Sequence, residues 1–503
     1  MTSFGPKSFP NGTAVPRAAV PSVAPRAFRD LVVAACDAGA RVCELFAVAE
    51  PGGFALHALM AHDDVGRLSL LSTRLAAGGS FPSLAASLPA VQAMERALLE
   101  DHGLVPDGHP WLKALRVHPE LPGGHAPAAA GRAPAHPFFQ VEGPGIHEVA
   151  VGPVHAGVIE PGHFRFQCAG ETVHTLEIHL GYQHRGALAR IVAAPAAHRP
   201  AIVESLVGDG AVSHGLAHCA AVEGLTGCRV PDRARALRVV ALELERISDH
   251  VGDFGALCND VGYLPAASWC PRLRGDIQNA LGLLTGHRFG RGFAVPGGLA
   301  SDPGDARLAE LDAVLATFAR EFADVAALAL DAPSVLSRFE GTGTVRTQDA
   351  RALGLLGIAA RASGLDRDAR RDHPLPGDRA PADPTVVLGS GDVAARARIR
   401  VLEIAQSVAR IRAILASPGD GPGRVVPGPA RPDAIAVGIA EGSRGQVTHV
   451  AVTGTDGELV DYRAVDPSLL DWPGLAMALR GQQISDFPLC NKSFDLSYAG
   501  HDL

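Results

Sequence analysis

The stretch DRARALRVVALELERISDHV (232–251) decides how the larger part of this chain is read. Leu237, Val240, Ala241, Leu244, Ile247 and Val251 recur at helical spacing behind Pro231, so the spacing predicts a helix with an apolar stripe against a core. Outward from it, a strand-like region (148–182) gives way to helical periodicity that continues to about residue 415. A Pro/Gly-rich break, SPGDGPGRVVPGPARP (417–432), comes next. The alternation in QVTHVAVTG and ELVDYRAV then predicts a β-hairpin around Thr455-Asp456-Gly457. Toward the N-terminus, RVCELFAVA (41–49), FALHALMA (54–61) and RLSLLST (67–73) read as short strands. A helix follows within 81–112, started near Pro89 and stopped near Gly103. The expected organisation is a disordered Pro-rich tail (1–28), an α+β N-terminal domain (29–118), a Pro/Ala/Gly-rich linker (119–140) and a mainly α-helical domain with small β elements (141–503).

With 503 residues, 47% hydrophobic and 19% charged, the chain can form more than one real core. A net charge of -8 without a Lys/Arg block argues against nucleic acid as a partner. The N-terminus lacks the apolar run of a signal peptide, and no window approaches 18 consecutive apolar residues. The expected location is therefore cytoplasmic, with docking on a membrane protein left open. The eight cysteines form no C-x-x-C pair, as in a reduced chain whose thiols are small buried hydrophobes.

Three groups of motifs carry a family resemblance. FPSL (81–84), MERALLEDHGL (94–104) and DGHPWL (107–112) resemble the signature of the 30 kDa subunit of complex I. GPVHAGVIEPGHFRF (152–166) and HLGYQHRG (179–186) resemble the entry to the complex I 49 kDa subunit and to the large subunit of group 4 [NiFe] hydrogenases. LELERISDHVGD (242–253), LTGHRFGRG (284–292) and Pro296-Gly297-Gly298 resemble the same large subunit further along. The order of motifs implies a fusion of both subunits, as in the formate hydrogenlyase branch. The fold then expected is a 30 kDa-like α+β domain followed by a [NiFe]-hydrogenase large-subunit-like helical domain.

A [NiFe] centre needs four thiolates, because soft sulfur ligands hold nickel and bridge it to iron. In the resemblance the first cysteine pair falls on Val207 and Gly210 within ESLVGDGAVSH (204–214), with His214 matching the histidine that follows it. The second pair falls on Ser497 and Gly500 within DLSYAG (495–500). Leu188 stands where a proton-relay glutamate is expected, and the chain ends at Leu503 without the cleavable extension of many hydrogenase precursors. Cys490 lies outside the matched positions. The expectation is a chain that binds no cofactor itself and does not activate hydrogen.

In complex I the matching cavity takes a quinone, using a loop histidine and a tyrosine. Here those positions fall near Glu160 or Pro161 and on Gly208. The candidates for a quinone or proton cavity are His155, Glu160 and His163 on the loop, Arg185 after the strand, and His214 with His218 one helical turn apart. Each has a plainer reading. The loop histidines can satisfy backbone groups, the His214/His218 pair has metal-ligand spacing but no H-E-x-x-H around it, and Asp249, His250 and Arg288 fit a structural polar network. Arg185 is expected beside a carboxylate, a substrate or a proton path that offsets its desolvation.

The resemblance implies a subunit of a membrane-associated NADH-quinone oxidoreductase- or hydrogenase-like complex. The implied partners are a small Fe-S subunit and proton-pumping-type membrane subunits that hold the chain on the inner face of the membrane. A quinone is the candidate acceptor. The competing readings are a non-catalytic coupling or scaffold subunit of a hydrogenase-4-like complex, and an active hydrogenase, which would need nickel.

Overall fold

The computed structural model describes residues 7–116, 136–157, 159–378 and 384–503. Three antiparallel strands, Arg41–Glu50, Gly53–His62 and Arg67–Ala76, form the N-terminal sheet, with the expected turn at Gly52, whose φ is +87°. The helix expected before Gly103 runs from Gln92 to His102, and Gly103 ends it in the left-handed conformation.

Residues 7–28 are not the tail the prolines suggested. Lys7–Phe9 pairs with the edge of the N-terminal sheet, Ala14–Pro16 pairs with strand Ala434–Glu441, and a helix starts at Pro25. Proline lacks an N–H, so it fits a strand end such as Pro16 and the first helical position of Pro25 without losing a bond. Most of the expected linker, 117–135, lies outside the described residues. Its last residues are packed rather than free, since His136 is buried and its ring contacts Glu177 at 3.0 Å.

The long helix extends past the predicted stretch, from Asp232 to Asp260, and packs against helices Leu264–Thr285 and Val393–Ala416. Leu237, Val240, Leu244, Ile247 and Val251 all enter the main core, as their spacing requires. The predicted C-terminal hairpin forms from Gln446–Thr453 and Leu459–Val465, and Ala434–Glu441 completes the sheet on the other side.

The expected domain boundary is not a packing boundary. Phe46, Val48, Leu59 and Leu70 of the N-terminal sheet share one apolar cluster with Ile435, Val437, Val450 and Val452 of the C-terminal sheet. Both sheets bury both faces in this region, which explains why their strands read as nearly continuous apolar runs. Among the described residues no helix is long and apolar enough to cross a membrane.

Candidate functional site

Helix Ala211–Thr226 (AVSHGLAHCAAVEGLT) is rich in alanine and glycine, and the packing shows why. It lies so close on the C-terminal sheet that a Cβ at Gly438 would come within 1.9 Å of the Ala217 carbonyl oxygen. Only a small face permits this approach. The start of the helix is held by Glu245 of the long helix, whose carboxyl accepts the backbone N–H groups of Val212 (2.6 Å) and Ser213 (3.0 Å). Burial nonetheless pushes the Glu245 carboxyl up to about 7.

His214 and His218 face the sheet and join a buried chain of hydrogen bonds. Asp466 Oδ2 lies 3.2 Å from His214 Nε2, and His214 Nδ1 lies 2.9 Å from His449 Nε2. The Tyr462 hydroxyl lies 2.7 Å from His449 Nδ1 and 2.7 Å from His218 Nδ1. All five side chains are buried. Burial pushes the Asp466 carboxyl up, but the hydrogen bond from His214, with His214 and Arg444 nearby, outweighs it and holds the group below its ordinary value. Burial lowers His218 to about 4, lowers His449 well below its ordinary value and raises Tyr462 well above its own.

One hydrogen per contact then fixes the order. With the Asp466 carboxylate as the terminal acceptor, His214 donates from Nε2, His449 donates from Nε2 to His214, Tyr462 donates to His449, and His218 donates from Nδ1 to Tyr462. Every donor points toward Asp466. A proton added at the His218 end can thus be passed along by successive transfers until Asp466 is protonated.

Asp466 stands at one of the positions matched to metal ligands. A Cβ at Gly500 would sit 2.6 Å from the Asp466 carboxyl, so that carboxyl fills the space of a side chain at 500. The Ser497 hydroxyl accepts the Gly500 N–H (2.9 Å), and the Ser497 N–H is taken by Ser468 Oγ (2.9 Å). Val207 is buried, and a Cβ at Gly210 would touch the His214 ring and Ser213 Oγ at 3.3 Å each. Gly208 differs, since a Cβ there would meet nothing within 4 Å.

The two segments that carry these positions are tied by Arg444. Its guanidinium donates to Asp209 Oδ1 (2.9 Å) and Oδ2 (2.8 Å), to Asp495 Oδ2 (2.8 Å) and to the Asp495 carbonyl. Asp249, held by Ser443 Oγ at 2.8 Å, adds a third carboxyl near the same cation. One guanidinium cannot neutralise three carboxylates in a desolvated place. Burial raises all three, but Arg444 overcomes it only at Asp209, which is held below its ordinary value, whereas Asp249 and Asp495 are pushed well above theirs.

The loop candidates are arranged differently. His155 Nε2 lies 2.8 Å from the Gly162 carbonyl and His163 Nδ1 lies 3.1 Å from the Gly152 carbonyl, so the loop is fastened to itself. Glu160 is exposed. Arg185 is exposed as well and donates to the carbonyls of Ser205 (2.9 Å) and Leu206 (3.1 Å). It forms no ion pair among the described residues and is not desolvated, so the carboxylate, substrate or proton path expected beside it is not required by burial, and its partners are two backbone oxygens just before Val207. Among the described residues His214 and His218 make no hydrogen bond to these four and are committed to the buried chain. Among the described residues no group of His, Cys, Asp and Glu has the arrangement of a metal site.

His250 does enter a structural network, with Glu403 at 3.1 Å, beside Arg246 and Arg361. Arg288 does not: it is exposed and lies 4.7 Å over the Phe289 ring. Cys490 is buried against Gly343, and burial pushes its thiol up to about 12. Sequence reasoning missed His449, Tyr462, Asp466, Arg444, Asp209 and Asp495. One signal was present, because alternation puts His449 on the same strand face as Val447 and Ala451.

Comparison with known proteins bears on the family and the fold. The family model described as respiratory-chain NADH dehydrogenase, 49 Kd subunit, matches residues 260–427. The carbon monoxide-induced hydrogenase of Rhodospirillum rubrum is 31% identical over 357 residues, covering 69% of this chain and 97% of that protein. Formate hydrogenlyase subunit 5 of Escherichia coli (strain K12) is 28% identical over 438 residues, covering 84% of this chain and 77% of that protein. An NADH-quinone oxidoreductase subunit of Sinorhizobium medicae (strain WSM419) is 33% identical over 276 residues, covering 55% of this chain and 68% of that protein. A chain in the structure of the membrane-bound sulfane sulfur reductase, an archaeal respiratory membrane complex, shares the fold with a TM-score of 0.67 at 23% identity, covering 71% of this chain and 98% of that one. With the motifs in order, the 49 kDa-like fold of mixed helix and strand, and relatives matched over most of their length, the chain belongs to the family of the complex I 49 kDa subunit and the group 4 [NiFe]-hydrogenase large subunit.

Proposed function

We propose that this chain is a subunit of a membrane-associated respiratory-type oxidoreductase complex, in which it serves a quinone-type acceptor beside a partner's Fe-S cluster and does not activate hydrogen. The observation that carries this reading is the polarised chain His218–Tyr462–His449–His214–Asp466, which ends against Gly500, one of the four positions matched to metal ligands. The residues present do not fit a thiolate-bound nickel–iron centre. Val207 and Gly210 offer no ligand atom, Ser497 Oγ is occupied as a helix cap, and the Asp466 carboxyl fills the place beside Gly500. Arg444, bridging Asp209 and Asp495, ties together the two segments that a shared metal would otherwise join.

Reduction of a quinone to its hydroquinone takes two electrons and two protons. The electrons come from the partner's cluster, and this chain contributes the protons. Asp466 passes on one that arrives along the histidine–tyrosine chain, and the raised carboxyls of Asp249 and Asp495 beside Arg444 are a nearby proton reserve. Gly208, with open space around it, lies at the position matched to the quinone tyrosine.

A second reading, a coupling or scaffold subunit, is favoured by one observation: His155 and His163 are engaged with their own loop's carbonyls. The complex isolated from gently solubilised native membranes separates the two. Fe-S partners, saturable quinone reduction and no nickel are expected. Tyr462→Phe should cut turnover at least tenfold while the complex stays assembled. An assembled complex without quinone turnover would establish the scaffold reading, and stoichiometric nickel would overturn the matching of the four positions.

A further inference from the structure

A cleft of about 540 Å³ opens at the seam between the N-terminal sheet and the helical part, and no member of the histidine–tyrosine chain lines it. Its walls come from the end of helix Pro25–Asp37, the start of strand Arg41–Glu50, the turn Pro89–Val91 and the end of helix Thr347–Leu353. The seam is tight there, since a Cβ at Gly354 would lie 2.7 Å from the Ala90 Cβ.

Three arginines line the cleft: Arg41, Arg351 and Arg367. Arg41 is neutralised by a two-point pair with Asp63, at 2.6 and 2.7 Å. Arg351 and Arg367 have no carboxylate within ion-pair distance among the described residues; Arg367 makes only a long hydrogen bond, 3.4 Å, to the Leu355 carbonyl. Burial, with Arg41 alongside, pulls the Arg367 guanidinium down to about 10. The one acidic side chain on the lining, Asp37, is exposed at the rim, and the Cys36 thiol is neutral, pushed up to about 11 by burial and Asp37. Asp63 also acts on Arg367 but is committed to Arg41; a half-buried guanidinium with no carboxylate in ion-pair reach is costly to keep, and a guanidinium matches the oxygens of a phosphate in a two-point geometry.

We propose that this seam cleft is a binding site for a small phosphate-ester anion, gripped by Arg351 and Arg367 and walled by Val42, Leu88 and Ala90. A volume of this size accommodates a ligand larger than phosphate alone, with its organic part on the apolar wall. The site is independent of the proposed oxidoreductase role, so either can fail without the other.

The test is calorimetric and thermal titration of the full chain with inorganic phosphate and with glycerol 3-phosphate, at ionic strength matched by chloride and acetate. Both phosphates should bind saturably and raise the melting temperature, glycerol 3-phosphate more strongly. Arg367→Gln should weaken binding at least tenfold. The exposed Arg351→Gln, which threatens folding least, should weaken it severalfold, and Arg320→Gln, on the distant helix Asp305–Leu330, should leave it unchanged. An equal response to chloride or acetate, undiminished binding by both cleft variants, or capture by phosphatidylglycerol vesicles without a response to either soluble phosphate would overturn the proposal.

Discussion

In the loop that joins strands Ile146–Val151 and His163–Ala169, His155 and His163 engage carbonyls 7 and 11 residues away. On helix Ala211–Thr226, His214 and His218 engage partners 235 and 244 residues away on the C-terminal sheet. The first pair fastens a loop to its own backbone, with His163 buried and His155 half-buried. The second is desolvated, and its partners fix which ring nitrogen carries each proton. Within the buried chain His214 and His449 have both ring nitrogens engaged by members of that chain, which fixes a direction for proton transfer, and burial between a helix and a sheet holds that order.

The largest expected effect breaks the buried region at its clamp. Arg444→Met leaves Asp209, whose side chain is 31% exposed, without its two-point partner and should destabilise the fold by about 2–3 kcal/mol, read from the denaturant midpoint. Adding Asp209→Asn should recover part of the loss, because the orphaned charge is then gone. Full retention of stability would mean that solvent already supports these carboxyls.

Tyr462→Phe removes one hydroxyl and strands a nitrogen on both His218 and His449. It should cost about 1–3 kcal/mol in the isolated chain, in addition to the loss of turnover expected in the complex. His155→Gln, its counterpart in the loop, should cost only about 0.5–1.5 kcal/mol and leave turnover unchanged. Equal effects of the two would erase the distinction between the regions.

Glu245 sharpens the comparison through pH. Its carboxyl is raised from 4.5 to about 7 in the folded state, so between these values the folded chain holds a proton that the unfolded chain has released. Stability on this account is greatest below pH 4.5 and is lost as pH rises toward 7, by on the order of 3 kcal/mol. Glu245→Gln should flatten that decline in chemical denaturation measured across the interval. Glu204, raised by burial to about 6, Glu44, raised to about 8, and Asp249 and Asp495, raised well above their ordinary values, act in the same direction, so the variant should remove only the share of the decline that belongs to Glu245. The smallest effect belongs to Gly208→Tyr, which enters open space and should change stability by less than ~0.5 kcal/mol while lowering the quinone concentration for half-maximal turnover.

Local pattern was sufficient for most elements. The strands at 41–49, 54–61 and 67–73, the helix ending at Gly103, the long helix behind Pro231 and the hairpin around Gly457 depend on neighbours in sequence, so periodicity and turn chemistry reveal them. The N-terminal segment was misread because its prolines occupy strand ends and a helix start, places that become visible only once strand Ala434–Glu441 is alongside.

The site divides in the same way. By itself the sequence determined the family resemblance, the absence of cysteine at 207, 210, 497 and 500, and the presence of two histidines one turn apart at 214 and 218. Only the tertiary structure decided what those histidines do. Asp466, His449 and Tyr462 lie more than 200 residues from the helix in sequence, and no periodicity couples them to it. They meet it because Gly438 lets the helix press onto the sheet, and buried polar groups brought together this way must satisfy one another.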